Sequence, residues 1–268
     1  MSKKRILFIS QEIAPYLPAS PSSTLGRMLP TSMQGKGFEV RTFMPKFGAV
    51  NERRNQLHEV IRLSGANIVI NDNDHPLIIK VASMQPSRIQ VYFIDNEDFF
   101  QKLDTDADHS GSNRADNDER AIFFARGAME TAKKLRWDPT IIQCSGWITS
   151  LVPLYLKKFY GEDPSFKSGK LVYCITPGPA PEVLNEEILN KLKADGFNAR
   201  DLKKISAAIE DSHFLQKTAI DNSHAIIISD PEISEQLLDY IKQSGKPYLL
   251  ANGETSDMDA YAEFYNSL

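Results

Sequence analysis

Runs of apolar residues alternate with amphipathic segments from the start of the chain. Residues Arg5 to Ser10 are almost continuously apolar, which is the pattern of a parallel strand covered on both faces. From about Ser22 to Gly35 apolar residues recur at helical spacing, and Gly37 marks the turn that follows. Phe38 to Met44 is again a strand-like run. This part of the chain therefore predicts a β-loop-α-β unit, which opens many nucleotide- and sugar-binding folds.

A second region, about residues 50–115, has closely spaced strand patterns with no helix-length pattern between them. The residues Asn71 to Asp74 supply turn chemistry between two of the strands, and Asp104 to Asn117 form a polar loop. We expect an antiparallel insertion or an extension of the sheet. The predicted strands are Glu59 to Ser64, Ala66 to Ile70, Pro76 to Ser83 and Ile89 to Ile94.

The rest of the chain returns to alternating strands and helices. A helix begins after Asp116, which is a candidate N-cap. Another is predicted to begin at Asp230, and the acidic tail 254–268 has the character of a surface helix. The whole pattern predicts an α/β fold with a Rossmann-like, mostly parallel sheet and helices on both faces. The further strands are Thr140 to Cys144, Lys170 to Ile175, His224 to Ser229 and Tyr248 to Ala251, and the further helices Leu184 to Lys193, Asp201 to Ile209 and Ser212 to Ile220.

Length, charge and composition argue against several classes of binding partner. The 268 residues suit one large domain, and the formal net charge of −4 argues against nucleic acid or an anionic membrane as a partner. No apolar run reaches the roughly 20 residues that span a bilayer, and the apolar stretch after the basic N-terminus is too short for a signal peptide. The cytoplasm is the expected location. The five histidines show no metal-ligand spacing, and no metal or cofactor is predicted.

The segment Pro139 to Lys157, PTIIQCSGWITSLVPLYLK, is the most informative part of the sequence. It predicts a strand, a small-residue turn and a helix that opens at Trp147, and ligands in open α/β sheets bind at such strand ends. The segment resembles the H-x-H-D-W-H-[ST]-x-L-x-P motif of bacterial glycogen synthases and plant starch synthases. The matching residues are Trp147, Thr149, Leu151 and Pro153, whereas Gln143, Ser145, Gly146 and Ile148 replace the three histidines and the aspartate.

The resemblance continues in order along nearly the whole chain. Ile6 to Pro15 is similar to the family's first strand and loop, VLFVSSEVAP, and Asn252-Gly253 is similar to the NG before its interdomain linker. Each motif by itself is weak evidence for the family. The specific evidence is that the motifs occur in the same order as in the family. The other matching segments are Leu29-Pro30, Gly35 to Pro45, Asp116 to Arg120 and Ala225 to Pro231.

The resemblance implies a domain plan and a reaction. The family has two facing Rossmann-like domains, the GT-B arrangement, and transfers glucose from ADP-glucose to an α-1,4-glucan. Residues 1–253 correspond to the N-terminal domain, residues 254–268 form a tail, and no C-terminal GT-B domain is expected. The implied ligands are an α-glucan or a nucleotide sugar. A protein partner or a second copy, giving a homodimer, would use the face that the second domain leaves vacant.

Six candidate substrate-binding residues follow from the resemblance, each with a structural alternative. Glu12 could instead brace its loop, Trp147 could be core, and Asp116 and Arg120 could be a helix cap and a helix-surface ion. Thr176 replaces a histidine of the family and keeps only a hydroxyl. The candidates are Glu12, Asp116, Arg120, Trp147, Thr149 and Thr176.

Two further positions bear on catalysis. The loop after the first strand carries K-[TS]-G-G-L in the family, but here reads Pro18 to Ser22, without lysine or glycine. Ser22 and Ser23 are therefore candidates either for a weakened anion site or for simple helix caps. Ile148 stands at the family's histidine position and can neither donate a hydrogen bond nor exchange a proton.

Two main hypotheses remain. The chain is either a glycogen synthase-like glycosyltransferase domain, inactive or incomplete by itself, or a non-catalytic protein that binds a glucan, a nucleotide or a regulatory partner. A different small-molecule enzyme on the same scaffold is a third, because a fold does not fix a function.

Overall fold

The computed structural model describes residues 4–102, 108–182, 184–207, 209–251 and 257–268. Part of the predicted polar loop, residues 104–107, and the Asn252-Gly253 pair lie outside the described residues. The elements, in chain order, are β1 (Arg5–Ser10), α1 (Pro21–Gly35), β2 (Glu39–Pro45), β3 (His58–Glu59), β4 (Ala66–Ile70), β5 (Asn73–Met84), β6 (Ile89–Asp95), α2 (Glu97–Phe100), α3 (Asn117–Leu135), β7 (Ile141–Ser145), a 3-10 helix (Trp147–Thr149), α4 (Val152–Tyr155), a π-helical turn (Leu156–Tyr160), β8 (Lys170–Ile175), α5 (Ile188–Ala194), α6 (Ala199–Ala207), α7 (Phe214–Asn222), β9 (Ala225–Ile228), α8 (Glu235–Gln243), β10 (Tyr248–Leu250) and α9 (Met258–Ser267).

The described strands form one mixed sheet. Its order is β10-β9-β8-β7-β1-β2-β6-β5-β3, and β4 pairs with β5 beside this path. From β10 to β6 every neighbouring pair is parallel, whereas β3, β4 and β5 pair antiparallel. The prediction of a mostly parallel Rossmann-like sheet with an antiparallel extension is confirmed.

Helices cover both faces of the sheet. The Tyr265 ring of α9 meets the Phe8 ring of β1 edge-on at 6.3 Å, and α9 also contacts α1. On the opposite face, Gly127 of α3 lies against Ile94 of β6 and Leu77 of β5. The strands between these layers are almost fully buried, which explains their continuous apolar runs.

The antiparallel extension shows one success and one failure of the sequence pattern. The β4–β5 hairpin turns at Asn71 and Asp72, with φ of 51° and 61°, values that favour these two residue types. The predicted strand Glu59 to Ser64 is wrong, because its pairing with β5 ends at Val60, whose N–H donates to the Ile79 carbonyl at 2.8 Å. The Leu63 N–H donates to the Val60 carbonyl at 2.9 Å, so these residues form a turn.

Two other predictions need correction. The helix expected at Asp230 begins at Glu235, because Ser234 caps it while the Asp230 carboxylate accepts from the Glu232 N–H at 2.9 Å in a local turn. The tail helix is more than an acidic surface element, since Tyr261 and Tyr265 of α9 are buried. Among the described residues, no helix combines the length and the apolar character needed to cross a membrane.

The sheet contains a topological switch point beside β1. The chain leaves β1 through α1 to β2 on one side, and β7 lies on the other side of β1. In open α/β sheets the crevice at the carboxyl ends of such strands is the usual ligand site.

Candidate functional site

The side chain of Gln11 fills the crevice at the switch point. Gln11 directly follows β1, and its N–H donates to the Ser145 carbonyl at the end of β7 at 2.9 Å. Its side-chain Oε1 accepts from the Ile148 N–H at 3.4 Å, so it satisfies a donor at the start of the 3-10 helix. Only 6% of Gln11 is exposed. The space between the two strand ends is thus occupied by this chain's own amide.

Gly146 makes this arrangement fit. Its φ of +90° lies in the region that favours glycine. A Cβ atom at position 146 would lie 2.6 Å from the Gln11 Cβ and 2.7 Å from its Oε1. The amide of Gln11 and the missing side chain of Gly146 are therefore complementary in shape.

The residues of the 3-10 helix point into the core. Ile148 is 0% exposed, so it is a core residue. The Trp147 indole N–H donates to the Ser110 hydroxyl at 3.2 Å, and the Thr149 hydroxyl donates to the Gly146 carbonyl at 2.9 Å. Trp147 still contributes to the wall of the neighbouring cleft, whereas Thr149 is buried beneath it.

Arg120 is buried, contrary to its interpretation as a helix-surface ion. It is 1% exposed and donates to the Phe99 and Gly111 carbonyls and to the Asn117 side chain. Its guanidinium also lies 5.7 Å from the centre of the Trp147 ring. Arg120 therefore holds the loop before α3 and supports Trp147 from below.

Asp116 occupies the N-cap position of α3 but makes no capping hydrogen bond, so that part of the prediction is wrong. Its carboxylate accepts instead from Arg114, at 2.8 and 2.6 Å. Burial alone would raise the pKa of Asp116, but the Arg114 guanidinium holds it below its usual value. Asp116 is thus an ionised partner of Arg114.

Helix α1 begins with a capping box that uses its own serines. Ser20, not Ser22, is the N-cap. The Ser23 N–H donates to the Ser20 hydroxyl at 3.0 Å, and the Ser20 N–H donates to the Ser23 hydroxyl at 2.8 Å. The Ser22 hydroxyl donates to the Pro177 carbonyl in the loop after β8. This carbonyl lies at the helix start, where an anion would otherwise approach the N-terminus.

Glu12 braces the same loop from the side of β1. Its carboxylate accepts from the Ser20 hydroxyl at 2.9 Å and lines a cavity of about 10 Å³. That volume is close to the minimum for one water molecule. Ser10, Gln143, Ser145 and Thr176 contribute polar atoms to the cavity, and among the described residues no lysine, arginine or histidine lines it.

A larger cleft of about 210 Å³ lies beside the plugged crevice, along the carboxyl ends of β7, β8 and β9. Thr176 lines both spaces. One wall is the Trp147 edge and the loop after β8, and the other is the segment before α7 and α8. The polar side chains in its lining are Gln11, Thr176, His213, Gln216, Asp230, Glu232 and Ser234.

Sequence reasoning missed the histidine of this cleft. His213 Nε2 lies 2.9 Å from the Ser234 hydroxyl, and its Nδ1 lies 3.5 Å from the Asp211 carboxylate. Burial would raise the pKa of Asp211, but Lys217 and the His213 backbone lower it overall. His213 and Ser234 lie 21 positions apart and match no motif, so only the fold brings the two side chains together.

Residues 5–251 match the family described as starch synthase catalytic domain. The chain belongs to this family. A glycogen synthase from Chlorobium luteolum is 32% identical over 223 residues, which cover 80% of this chain and 45% of that protein. One from Chlorobium phaeobacteroides is 36% identical over 190 residues, covering 70% of this chain and 39% of that protein. The chain therefore spans less than half the length of these glycogen synthases.

A solved structure agrees with this assignment. The catalytic domain of starch synthase IV from Arabidopsis thaliana, bound to ADP and acarbose, is similar with a TM-score of 0.69 and 18% identity, over 93% of this chain and 52% of that chain. At this identity the likeness concerns the fold, which is of the GT-B type. The family resemblance and the Rossmann-like fold deduced from the motifs are thus confirmed.

In this starch synthase-type chain, polar side chains near the strand ends form hydrogen bonds with one another and with helix α9. Gln143 donates to the Ser145 hydroxyl at 3.1 Å and accepts from the Tyr265 hydroxyl of α9. Cys174 of β8 and Tyr261 of α9 both contact the Ser229 hydroxyl, at 3.6 and 2.8 Å. Among the described residues there is no cluster of three or more histidine, cysteine or acidic side chains that could hold a metal ion.

Proposed function

We propose that this chain is a glycogen synthase-like glycosyltransferase domain that does not transfer glucose by itself and binds an α-glucan in the 210 Å³ cleft. One observation carries the proposal: Gln11 occupies the switch-point crevice. The fully buried Ile148, at the position where the resemblance implies a histidine, supports it. The crevice that a nucleotide sugar would enter is thus closed by the protein's own side chain.

The electrostatics of the crevice support the loss of transfer. In the family reaction a diphosphate leaves the donor sugar, and that developing charge requires preorganised donors or cations. Around the cavity at the crevice, the described residues offer hydroxyls, amides and the carboxylate of Glu12, which would repel a diphosphate. The start of α1 is closed by its capping box and by the Pro177 carbonyl.

The chemistry of the cleft supports a sugar ligand. Sugar hydroxyls need both donors and acceptors, and the side chains of Gln216, His213, Ser234 and Asp230 supply both. Trp147, which is 3% exposed, contributes apolar atoms to the cleft wall beside them. The starch synthase relative was solved with acarbose as well as ADP, which is consistent with a carbohydrate ligand on this fold.

The test combines a transfer assay with a binding assay. We expect no transfer of labelled glucose from ADP-glucose to glycogen above the heat-inactivated control, but retardation of the chain in glycogen-containing native gels. A His213→Ala/Gln216→Ala variant removes donors from the cleft and should weaken retardation by about tenfold, which corresponds to roughly 1.4 kcal/mol. His58→Ala, at an exposed histidine of β3, is the matched control and should bind as the parent does.

Each outcome decides one part of the proposal. Transfer by the purified chain would refute the claim of inactivity. If His58→Ala loses retardation as well as the cleft variant, the glucan binds outside the cleft. If the parent shows no retardation, glucan binding is refuted.

A second candidate function is a non-catalytic protein that binds a partner or a second copy of itself. The edge strand β10 favours it, because Tyr248 is 41% exposed and Leu250 is 51% exposed beside unpaired strand edge groups. Light scattering at increasing concentration tests this candidate. A Leu250→Lys variant should remain monomeric if β10 forms the contact, and a monomeric parent would refute self-association.

A further inference from the structure

A separate groove of about 590 Å³ lies among the helices that follow β7 and β8. We call it the helix groove, and it shares no lining residue with the cleft at the strand ends. Its volume falls in the range of small-molecule sites. The residues that line it are Leu154, Lys157, Lys158, Phe197, Asn198, Arg200, Asp201, Ile205, Lys217, Thr218, Asp221, Asn222 and Tyr240.

The helix groove is locally positive although the chain is acidic. Its lining contains four cationic side chains and two carboxylates, whereas the whole chain has a net charge of −4. Lys158 and Lys217 form ion pairs with Asp201 and Asp211. Lys157 and Arg200 are both exposed, and the charge of Arg200 also acts on the Asp201 carboxylate that Lys158 contacts.

Two features show that this positive charge surrounds a ligand-sized space and is not simply a solvated surface. Thr218 is only 6% exposed and places a hydroxyl in the lining of the groove. A hydroxyl at this position can donate to a ligand oxygen. The floor beneath it is apolar and consists of the buried side chains of Leu154, Phe197 and Ile205.

The local backbone and electrostatics agree with this interpretation. Lys157 belongs to the π-helical turn Leu156–Tyr160, and such turns are frequent at functional sites. His224 lies nearby, and burial together with the charges of Lys170, Lys246 and Lys157 lowers its pKa. The field around Lys157 is therefore positive in the folded protein.

We propose that the helix groove binds a small phosphate ester. Lys157 and Arg200 contact the phosphate, the Thr218 hydroxyl donates to an ester or phosphate oxygen, and the carbon skeleton packs on Leu154 and Phe197. Lysine and arginine are the side chains that bind phosphate most often, and a hydroxyl adds a directional donor. The proposal does not depend on the glucan cleft.

Titration calorimetry at low ionic strength tests the proposal with four probes: inorganic phosphate, glucose 1-phosphate, AMP and neutral glucose. We expect binding of both esters, weaker binding of inorganic phosphate because it lacks a skeleton, and none of glucose. A preference for AMP would identify a nucleotide ester, and a preference for glucose 1-phosphate a sugar ester. No heat of binding from either ester, or equal affinity for inorganic phosphate and both esters, would refute the site.

Variants locate the binding. Lys157→Ala/Arg200→Ala should weaken ester binding by at least about tenfold, because two charge-assisted contacts are lost. Arg53→Ala/Lys167→Ala makes the same charge change at exposed residues outside the groove and should retain the parent affinity. Thr218→Val, which keeps the shape, should weaken binding by about threefold.

Each variant should retain the parent melting temperature and the parent retardation by glycogen, so that failure of this proposal is separable from failure of the glucan proposal. If the control pair loses as much affinity as the groove pair, the binding is non-specific attraction to the protein's charge, and the proposal is wrong.

Discussion

At the scale of single residues, the position of Glu12 depends on a glycine in the neighbouring helix. A Cβ atom on Gly26 of α1 would lie 2.2 Å from the backbone oxygen of Glu12. Backbone atoms cannot move aside cheaply, so only glycine lets the loop after β1 approach α1 this closely. The sequence alone gave Gly26 no role, because its neighbour is distant along the chain.

Gly26→Ala should therefore destabilise the protein by about 3 kcal/mol, the upper part of the range for overpacking. Gly35→Ala in the same helix is the matched control, since nothing lies within 4 Å of its added methyl group. It should stabilise by about 0.5–1 kcal/mol through its higher helix propensity. Urea denaturation of both variants measures the two changes, and equal free energies of unfolding would contradict the steric argument.

At the scale of elements, the sequence pattern predicts the buried strands, but it does not predict features that depend on tertiary contacts. The parallel strands and β4 can be recognised in the sequence. Burial on both faces produces a continuous run of apolar residues, and regular strand pairing produces a regular pattern of apolar residues. The start of α8 was missed because Asp230 and Ser234 are both good caps, and tertiary contacts select the second. The role of Gln11 was missed because it depends on β7, which comes much later in the chain.

A hydrogen bond from Tyr265 to Gln143 of β7 attaches helix α9 to the sheet. Tyr265→Phe should cost about 1–3 kcal/mol, because the buried Oε1 of Gln143 loses its donor. Removing the hydroxyl leaves the packing of the ring unchanged, so the loss is one of hydrogen bonding. The melting temperature measures it, and a Gln143→Met/Tyr265→Phe double variant should recover part of the loss. No recovery would mean that the two groups act independently.

A lysine from the loop between α8 and β10 caps the C-terminal end of helix α7. Lys246 Nζ donates to the carbonyls of Ile220, Asp221 and Ser223, at 2.5, 2.8 and 2.6 Å. Lys246→Met should destabilise by about 2 kcal/mol, because the helix's last carbonyls lose a charged donor. Lys242→Met, at an exposed lysine of α8, should change the free energy of unfolding by less than about 0.5 kcal/mol. Chemical denaturation compares the two.

At the scale of the whole molecule, carboxyl groups set the response to acid. Most of the carboxyls with a perturbed pKa are stabilised in the ionised form, whereas burial raises the pKa of Asp118 and Asp195. A lowered pKa contributes stability that is present above about pH 4 and is lost as the pH falls through the folded-state pKa. The carboxyls with a lowered pKa are Glu39, Glu52, Asp108, Asp116, Asp163, Asp201 and Asp211.

The melting temperature should therefore be nearly constant between about pH 6.5 and 8, fall slightly below about pH 6.5 because the pKa of His224 is lowered, and fall steeply below about pH 4. Asp108 offers the sharpest test. Burial would raise its pKa, but the hydroxyls and N–H groups of Ser112 and Ser110 lower it overall. Asp108→Asn should lower the melting temperature at pH 7 and flatten the acid limb, whereas the exposed Asp239→Asn should leave the curve unchanged. An identical acid limb in Asp108→Asn would contradict this assignment.

The fit between Gln11 and Gly146 also constrains the history of the protein. Any residue with a Cβ atom at position 146 would collide with Gln11, and the nearest atom is the Cβ of Gln11 itself. A shorter side chain at position 11 would leave that atom in place unless the residue were glycine. A larger residue at position 146 therefore requires a shift of the backbone between the two strand ends, so the two positions cannot change independently.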